Sequence, residues 1–476
     1  MDYGAKPLAR AASIEWLPWS ADAFARAARE GRPVLLSITA AWCRACHEMD
    51  RTTYADPQVA ALVRDGFIPV RVDADQRPDV NERYNLGGWP TTAFLTPHGD
   101  MITGGTFVPA DRMPAVLARV AAAFAAAQAA GPRLADAVAA APPARAVDDE
   151  TLIEEIFSSF DAEYGGFGVE PKFPHTPALH LAMELSADTG DARWREIAER
   201  TLDAMADGAL WDAAHGGFYR YASTRDWQLP HAEKLLDTNA ALLRAYAHAA
   251  LSFGRDVDRD RCRRIARFIT TDLRADGGGY VGSDADRILY VDANAAAAGA
   301  LLDAATVLGD SALGREALAS FERVILVCYK PGHGLAHFFD GEPRVRGLLA
   351  DQVAAIAALL DAHDASSGEP YRMMAEELGH IIVRDLWDAP AGGFFDRRLA
   401  PDDVGLLRAP RKPFAENADA ALALSRLARL EPRKGFPTPA AFHEYAVGAL
   451  QAAGRQLEGQ GPLAARYALA ARHLIN

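Results

Sequence analysis

Two spacings of apolar residues divide the chain near residue 148. Up to about residue 130, short apolar runs alternate with helical patterns; the runs are 34–38, 67–72, 93–95 and 101–107, and the helical stretches are 21–30, 54–65, 77–84 and 111–129. Beyond residue 148 the strand signal nearly vanishes and amphipathic helices follow one another. An Ala-rich stretch with Gly131-Pro132 and Pro142-Pro143 separates the two parts. We predict an α/β domain at 1–130, a linker at 131–148 and a helical domain at 149–476.

Glycine-aromatic turns repeat through the helical part. The first glycines of these turns are Gly165, Gly216, Gly277, Gly334 and Gly392, so the steps are 51, 61, 57 and 58 residues. A repeat of this length is one helix pair, and residues 149–476 have room for about six. Six pairs that close on themselves form an (α/α)6 toroid. The alternative is an open solenoid, whose repeats are usually shorter, about 34 to 47 residues.

Composition and charge narrow the classes of partner. The chain has 476 residues, 50% hydrophobic and 24% charged, which is normal for a globular protein of two or three domains. Residues 1–128 hold 13 Lys and Arg against 14 Asp and Glu, so −13 of the net charge of −14 falls in the remainder. An acidic body argues against nucleic acid or anionic membrane as partner, and it is compatible with neutral polar ligands.

Targeting signals and cysteine usage point to the cytoplasm. No apolar run follows Lys6 and Arg10, so we expect neither a signal peptide nor a membrane anchor, and no stretch of about 18 uninterrupted apolar residues occurs. Four cysteines are too few for a disulfide framework. A Cys-x-x-Cys in a reducing compartment is expected to be catalytic, while Cys262 and Cys328 are expected to be buried in helices.

The strongest chemical signal is Trp42-Cys43-Arg44-Ala45-Cys46-His47, between the strand at 34–38 and a helical pattern. A strand-to-helix turn leaves Cys43 at a helix N-terminus, where the macrodipole favours a thiolate, and Arg44 adds positive charge. Cys46, one turn on, can close a disulfide. We predict Cys43 as the attacking thiol and Cys46 as the resolving thiol.

Two other interpretations of Cys-x-x-Cys compete with redox chemistry. The Cys-x-x-Cys could be half of a zinc site, but zinc needs four ligands, and the other two cysteines, Cys262 and Cys328, form no second pair. The pattern Cys-x-x-Cys-His also marks attachment of c-type haem, usually in exported proteins. We expect neither a metal nor a cofactor.

The order of elements resembles the thioredoxin fold, as does Trp89-Pro90-Thr91, which begins some 44 residues after Cys46. The resemblance implies that Pro90 is the cis-proline that shapes a thiol-binding groove with Trp42 and Trp89; the alternative is an ordinary proline at the start of a strand. Thioredoxins commonly have a buried Asp six residues before the first cysteine, where this chain has Ser37. Proton transfer must therefore differ, through His47 or Glu48, unless these two lie in a solvated helical turn.

Charged and aromatic residues around one glycine-aromatic turn suit a sugar site at the rim of a toroid, because rings stack on apolar sugar faces and charged groups bind hydroxyls. The candidates are Trp211, Asp212, Arg220, Tyr221, Trp227, His231, Glu233, Lys234 and Asp237, with Lys172, His175, Asp284 and Asp286 after neighbouring turns. The alternatives are a solvated helix with an internal salt bridge, aromatic residues that plug the core, and Asp284 and Asp286 as helix caps instead of a glycosidase acid–base pair.

Motifs in both parts together resemble one family. They are Val72-Asp73-Ala74-Asp75, Gly87-Gly88-Trp89-Pro90-Thr91, Phe160-Asp161-Ala162-Glu163-Tyr164-Gly165-Gly166-Phe167, Pro171-Lys172-Phe173-Pro174 and Pro230-His231-Ala232-Glu233-Lys234. Members of this family join an N-terminal thioredoxin-like domain to a six-hairpin glycosidase-like toroid, and the animal members are named spermatogenesis-associated proteins. The family usually has Cys-His-Trp-Cys-His at the redox turn, where this chain has Cys-Arg-Ala-Cys-His.

Two functions follow as hypotheses. The first is a thiol–disulfide oxidoreductase that acts on a disulfide-bearing protein or a small thiol, with the toroid selecting the substrate. The second is a carbohydrate-acting enzyme, epimerase-like or glycosidase-like, or a sugar-binding protein, in which the thioredoxin domain is a redox sensor or scaffold. A third interpretation is an interaction protein in which both sites are vestigial.

Overall fold

The computed structural model describes residues 14–130, 148–432 and 439–475, so residues 131–147 of the predicted linker lie outside the described part. The chain forms two compact units. The first is residues 1–139 with Leu399–Pro410, and the second is residues 140–398 with 411–476. The predicted helical domain, 149–476, is therefore interrupted by a segment that belongs to the first unit.

The first unit has a five-stranded sheet with helices around it. Its strands are β1 (Leu17–Pro18), β2 (Val34–Thr39), β3 (Ile68–Asp73), β4 (Thr91–Leu95) and β5 (Met101–Gly105). Its helices are α1 (Ala21–Glu30), α2 (Arg44–Met49), α3 (Pro57–Gly66), α4 (Pro78–Tyr84) and α5 (Met113–Ala130). The strand order is β1-β3-β2-β4-β5; β1, β2 and β3 are parallel, and β4 and β5 are antiparallel to their neighbours.

Local signals explain where these elements begin and end. Ser20 caps α1, as its position suggested, and the left-handed Gly31 ends it. The helix predicted from residue 54 begins only at Pro57, because Asp56 caps it and proline favours the first helical turn. Residues 50–54 instead extend α2 as a π-helical turn. Strand β1 was not predicted, since two residues carry no periodicity.

The segment Leu399–Pro410 completes the first unit. Val404 and Leu407 are buried in the apolar cluster that covers one face of the sheet. The Tyr84 hydroxyl accepts a hydrogen bond from the backbone of Leu406 at 2.8 Å, and Arg83 donates to the carbonyl of the same residue at 3.0 Å. These apolar and polar contacts make the segment part of the core of the first unit.

The second unit is the predicted (α/α)6 toroid. Its inner helices are α7 (Thr176–Thr189), α9 (Leu236–Phe253), α11 (Val291–Leu308), α13 (Leu349–Ser366), α15 (Phe414–Ala428) and α17 (Ala465–Ile475). Its outer helices are α6 (Asp149–Phe157), α8 (Ala192–Asp207), α10 (Asp256–Thr271), α12 (Ser311–Cys328), α14 (Glu369–Leu386) and α16 (Phe442–Gly454). Each inner helix packs on the next, and α17 packs on α7, so the ring closes.

Short strands precede two of the inner helices. Strand β6 (Leu289–Tyr290) leads into α11, while β7 (Tyr329–Lys330), β8 (Gly334–Phe339) and β9 (Pro343–Arg346) lie between α12 and α13. Strand β8 pairs with β6, β7 and β9, all antiparallel. The segment before α11 and the β-hairpin before α13 are therefore held side by side.

An amide in the first turn of four inner helices fixes the preceding glycine-aromatic turn. Asn239 accepts a hydrogen bond from the backbone N–H of Phe218 and donates to its carbonyl, and Asn294 does the same at Tyr280. Gln352 and Asn417 repeat these bonds at the turns before α13 and α15. We call these four the amide clasps. Their recurrence explains why the turns repeat once per hairpin.

The apolar character of α11 follows from its position. Its mean hydropathy of 1.3 and its 18 residues would suffice by length and composition to cross a membrane, but 67% of it is buried inside the structure. The two cysteines predicted to be buried, Cys262 and Cys328, are buried and free, and burial raises the pKa of each thiol to about 12.

Candidate functional site

The redox turn joins β2 to α2. Cys43 and Cys46 form a disulfide with their Cα atoms 5.3 Å apart, and both lie in the apolar cluster with Leu36 and Ile38 of β2. Cys43 is the N-cap residue of α2, and its Sγ accepts a hydrogen bond from the backbone N–H of Cys46 at 3.1 Å. The positive end of the helix therefore faces the first sulfur, which favours its thiolate over that of the second.

A loop with a cis-proline leads into the neighbouring strand, β4. The peptide bond between Trp89 and Pro90 is cis, as the resemblance to thioredoxin implied. The loop is held by Asn85, which accepts hydrogen bonds from the backbone of Gly87 and Gly88, and by Trp89 itself, which donates to Asn81 at 3.1 Å. The backbone of the loop is thus fixed from within the first unit.

The aromatic residues of the predicted groove lie together. The rings of Trp42 and Trp89 meet edge to face, with centroids 5.5 Å apart, and the indole of Trp42 donates to Asp75. Asp75 comes from the Val72-Asp73-Ala74-Asp75 motif, so this hydrogen bond gives the motif a structural role: it orients the tryptophan that precedes Cys43.

No carboxylate occupies the position of the usual buried Asp. Ser37 is fully buried and lies in register with Thr92 of β4, on the face of β2 opposite to Leu36. His47 is exposed and pairs with the carbonyl of Ala41 at 2.7 Å, and Arg44 and Glu48 are also exposed. The placement of His47 and Glu48 matches the solvated helical turn that we gave as the alternative to proton transfer.

Three residues of the predicted sugar site, Lys172, Asp212 and Lys234, stabilise glycine-aromatic turns. Asp161, Asp212 and Asp388 each accept a hydrogen bond from a lysine of the following loop, at 2.7, 2.8 and 2.6 Å. The lysines are Lys172, Lys234 and Lys412, and each also donates to a backbone carbonyl. We call these pairs the lysine clamps. Asp212, Lys172 and Lys234 therefore hold the fold together, contrary to the rim prediction.

The first lysine clamp is the most deeply buried. Lys172 is 0% exposed, and Arg225 adds a second cation with two hydrogen bonds of 2.8 Å to Asp161. Burial alone would raise the pKa of Asp161, but the hydrogen bonds from Arg225 and Lys172 outweigh it and hold this pKa well below its usual range. The two cations therefore favour the carboxylate form of Asp161.

The two tryptophans of the predicted rim belong to the core. Trp227 is 1% exposed and donates to the carbonyl of Tyr164, while Trp211 is 6% exposed and packs on Phe218. Burial closes the ring of Trp227 to a ligand. The guanidinium groups of Arg261 and Arg264 both lie 4.8 Å from the ring centroid of Trp211. The alternative interpretation, in which these aromatic residues are core, is the one that the structure matches.

The remaining candidates are distributed over several places. Tyr221 stacks on His231 with centroids 4.2 Å apart, and His231 pairs with Glu233 at 3.3 Å. Asp284 is exposed. Asp286 is buried and accepts from the Tyr290 hydroxyl at 2.7 Å; burial raises the pKa of Asp286. Neither aspartate caps a helix, since Tyr290 is the N-cap residue of α11.

The centre of the toroid contains a cavity of about 860 Å³. Of the predicted residues, His175, Arg220 and Asp237 line it. Other charged residues that line the cavity were not predicted from the sequence: Asp292, Glu416, Asp419, Arg244, Arg426 and Arg466. Asp237 and Asp292 each stand two residues before an amide clasp, and this shared spacing could have identified Asp292. Burial raises the pKa of both, and the charge of Asp292 adds to the shift at Asp237.

Fold and site define a thioredoxin-fold unit with a Cys-x-x-Cys pair followed by an (α/α)6 toroid. Residues 8–138 match the family described as "Protein of unknown function, DUF255", Thioredox_DsbH. The chain is 31% identical over 304 residues to the Caenorhabditis elegans protein B0495.5 and 30% identical over 309 residues to human spermatogenesis-associated protein 20. The resemblance predicted from the motifs is confirmed.

These matches cover 58% and 57% of this chain but only 42% and 39% of the two relatives. A segment of 82 residues is 37% identical to the thiol:disulfide interchange protein DsbD of Ralstonia nicotianae, over 17% of this chain and 14% of that protein. The coverage of the curated relatives is thus well under half of their own length.

Solved structures resemble the toroid. A D-mannose isomerase superimposes with a TM-score of 0.56 at 12% identity, over 69% of this chain and 96% of that chain. A sugar epimerase from a ruminal bacterium superimposes with a TM-score of 0.53 at 14% identity, over 63% and 85%. At such identities these likenesses show the fold alone.

Proposed function

We propose that the chain is a thiol–disulfide oxidoreductase whose reacting groups are Cys43 and Cys46. The observation that carries this proposal is their disulfide, with its first sulfur at the N-terminus of α2, in a thioredoxin-fold unit with cis-Pro90. The relation to a thiol:disulfide interchange protein supports it. We further propose a cytoplasmic disulfide-bearing protein or small disulfide as the substrate.

The reduced pair would act in two steps. The Cys43 thiolate attacks one sulfur of the substrate disulfide, so a mixed disulfide forms and the other substrate sulfur leaves as a thiolate. The Cys46 thiolate then attacks Cys43 Sγ, which releases the second substrate thiolate and leaves the Cys43–Cys46 disulfide. The substrate gains two electrons and two protons, and the protein loses them. The reverse sequence oxidises a dithiol substrate.

Trapping tests this proposal. Cys46→Ser in the full chain removes the resolving thiol, so mixed disulfides on Cys43 should accumulate and be released by dithiothreitol. Cys43→Ser should capture far less, because Cys46 lacks the helix N-terminus. Cys262 and Cys328 are internal controls, since burial keeps both protonated at neutral pH. If Cys46→Ser captures no more than Cys43→Ser, or if Cys46 is alkylated faster than Cys43, the proposed roles are wrong.

A second function is favoured by one observation, the central cavity of about 860 Å³. We propose that the toroid binds a neutral polar ligand there, with a carbohydrate as the first class to test, rather than at the rim around Trp211. Arginine and aspartate side chains that line the cavity can bind hydroxyl groups from both sides. A sugar library screened by thermal shift tests this, with Arg220→Met and Asp237→Asn as variants that should lose the shift. The proposal fails if no sugar stabilises the wild type.

A further inference from the structure

Three inner segments of the toroid bring two carboxylates and an imidazole together. Asp292 is the second residue of α11, His337 lies in β8 and Asp351 lies in the first turn of α13. One carboxylate oxygen from each aspartate and one ring nitrogen of His337 all lie within 4.8 Å of one another. Side chains from three separate segments therefore converge on a volume that one ion could fill.

The fold fixes this convergence through contacts already described. Tyr290 in β6 pairs with Phe338 in β8, so the start of α11 lies beside His337. The amide clasp of Gln352 holds Leu335, two residues before His337, at 2.9 Å. Because Asp351 precedes Gln352, the same clasp places its carboxylate beside the imidazole, where Oδ1 lies 2.8 Å from His337 Nδ1.

The polar groups of this cluster are not all satisfied. Asp351 is 0% exposed, and its Oδ2 has no hydrogen-bond partner among the described residues. A buried carboxylate oxygen without a partner destabilises the folded state, because it has lost its hydrogen bonds to water and forms none within the protein. The contact with His337 uses Oδ1 alone and leaves Oδ2 unpaired. A cation bound between Asp292 and Asp351 would give Oδ2 a partner.

The donor set indicates the kind of cation. Two carboxylates and one imidazole are oxygen and nitrogen ligands of the sort used for Mn²⁺ and Zn²⁺, whereas Mg²⁺ and Ca²⁺ prefer oxygen alone. Three protein ligands leave further coordination positions open. Asp292 lines the central cavity, so the open positions would be reached from that side.

We propose that Asp292, His337 and Asp351 bind a divalent transition-metal ion at the wall of the central cavity. No metal was expected from the sequence, where only cysteine ligands suggested one, and this set contains no cysteine. The site does not depend on thiol chemistry at Cys43. A hydroxyl of a cavity ligand would complete the coordination of the ion, which gives the toroid a polar anchor that the rim residues do not provide.

Mn²⁺ is the probe for the test, because free aqueous Mn²⁺ gives an electron paramagnetic resonance signal that is lost on binding. The full-length chain, stripped with EDTA and dialysed, should remove that signal at a stoichiometry of one ion per chain, and Zn²⁺ should restore it by displacement. Asp292→Asn should weaken binding by about 100-fold, since even outer-shell changes cost roughly 10–100-fold in metal affinity. Asp292 is half-buried, and asparagine has nearly the same shape as aspartate, so the Asp292→Asn variant should fold.

Asp237→Asn is the matched control. Asp237 holds the equivalent position in α9, two residues before an amide clasp, and it lines the same cavity outside the cluster. Both variants are compared with the wild type in their affinity for Mn²⁺. The loss of affinity caused by Asp237→Asn should be more than tenfold smaller than the loss caused by Asp292→Asn. Asp351→Asn and His337→Gln should each abolish binding while circular dichroism shows a folded chain. The proposal is overturned if the wild type leaves the Mn²⁺ signal unchanged and gains no thermal stability from Zn²⁺, or if Asp292→Asn and Asp237→Asn weaken binding equally.

Discussion

The three lysine clamps form a natural series in which one interaction occurs at three depths. Lys172, Lys234 and Lys412 are 0%, 17% and 19% exposed, and their aspartate partners are 3%, 10% and 19% exposed. Replacing each lysine by methionine keeps the length of the side chain and removes the charge. We predict that the loss of stability follows depth, with Lys172→Met the most costly.

The magnitudes follow from burial. Removing one partner of a buried ion pair costs about 3–5 kcal/mol, and Arg225 still compensates Asp161, so Lys172→Met should lie near the lower end, about 3 kcal/mol. Lys234→Met and Lys412→Met lose a half-buried, charged hydrogen bond and should each cost about 1–2 kcal/mol. Lys330 is exposed, so Lys330→Met is the control and should stay within about 0.5 kcal/mol.

Hydrogen exchange in urea, read by mass spectrometry on peptides from the toroid, gives the free energy of unfolding of that unit separately. Acid adds a second readout. Burial raises the pKa of Asp212, but its bonds with Lys234 prevail and lower the pKa to about 2. The clamp therefore stabilises fully above the unfolded pKa of about 4 and loses this contribution as the pH falls towards 2. Lys234→Met should flatten that part of the stability curve.

The reasoning is refuted if the three variants cost the same, since depth would then not matter. It is also refuted if Lys172→Met leaves the free energy of unfolding unchanged and instead abolishes stabilisation by a sugar. That result would return Lys172 to the ligand site predicted from the sequence.

Three shorter predictions concern other buried groups. Leu407→Ala should destabilise the first unit by about 2–5 kcal/mol, seen as early exchange in its strands while the toroid is unaffected. Burial raises the pKa of Tyr84 to about 12, so the stability due to its neutral hydroxyl is complete below pH 10 and lost towards pH 12; Tyr84→Phe should lose the bond to Leu406 and remove this alkaline transition. Asp286→Asn should raise the melting temperature at pH 7, because burial raises the pKa of Asp286; the amide oxygen can accept from Ile288 while its NH2 group donates to the Tyr290 hydroxyl.

Features that depend on neighbouring residues, such as helix ends and turns, could be predicted from the sequence. Helix α1 begins after Ser20 and ends at Gly31, because a capping hydroxyl and a left-handed glycine act over one turn. The Cys43–Cys46 turn was likewise read from adjacent residues. The repeat of glycine-aromatic turns predicted six hairpins, and in four of them an amide at the start of the inner helix holds the turn.

Groups that meet only in the folded chain could not be predicted. The segment at 399–410 has no periodicity and binds α4, more than 300 residues earlier in the chain. Lys172 and Trp227 look like rim residues because charge and rings cluster near a turn, and only burial shows that they are structural. Asp292 lies at the start of α11, whereas His337 and Asp351 lie at the entry to α13, so no spacing in the sequence connects the three.

In the four helices with an amide clasp, the residue that folds the turn is distinct from the residue that faces the cavity. Two residues before each amide clasp stand Asp237, Asp292, Ala350 and Ala415, and all four line the central cavity. The clasp residue is buried and fixes the turn, whereas the residue two positions before it faces the cavity and does not take part in the clasp. Two carboxylates and two alanines at the same position indicate that the lining is set independently of the fold.

This separation gives a last prediction, tested on α15. Asn417→Leu leaves the buried N–H and carbonyl of Phe394 unpaired, which should cost about 3 kcal/mol or more, since each unpaired buried group costs roughly 1–3 kcal/mol. Ala415→Asp places a carboxylate in the first turn of the same helix, where the macrodipole favours it by about 0.3–1 kcal/mol and Glu416 opposes it. We expect it to stay within about 1 kcal/mol of wild type in urea unfolding. If Ala415→Asp proves as destabilising as Asn417→Leu, the cavity-facing position is part of the core, and the carboxylates at Asp237 and Asp292 must be explained by folding instead of by a ligand.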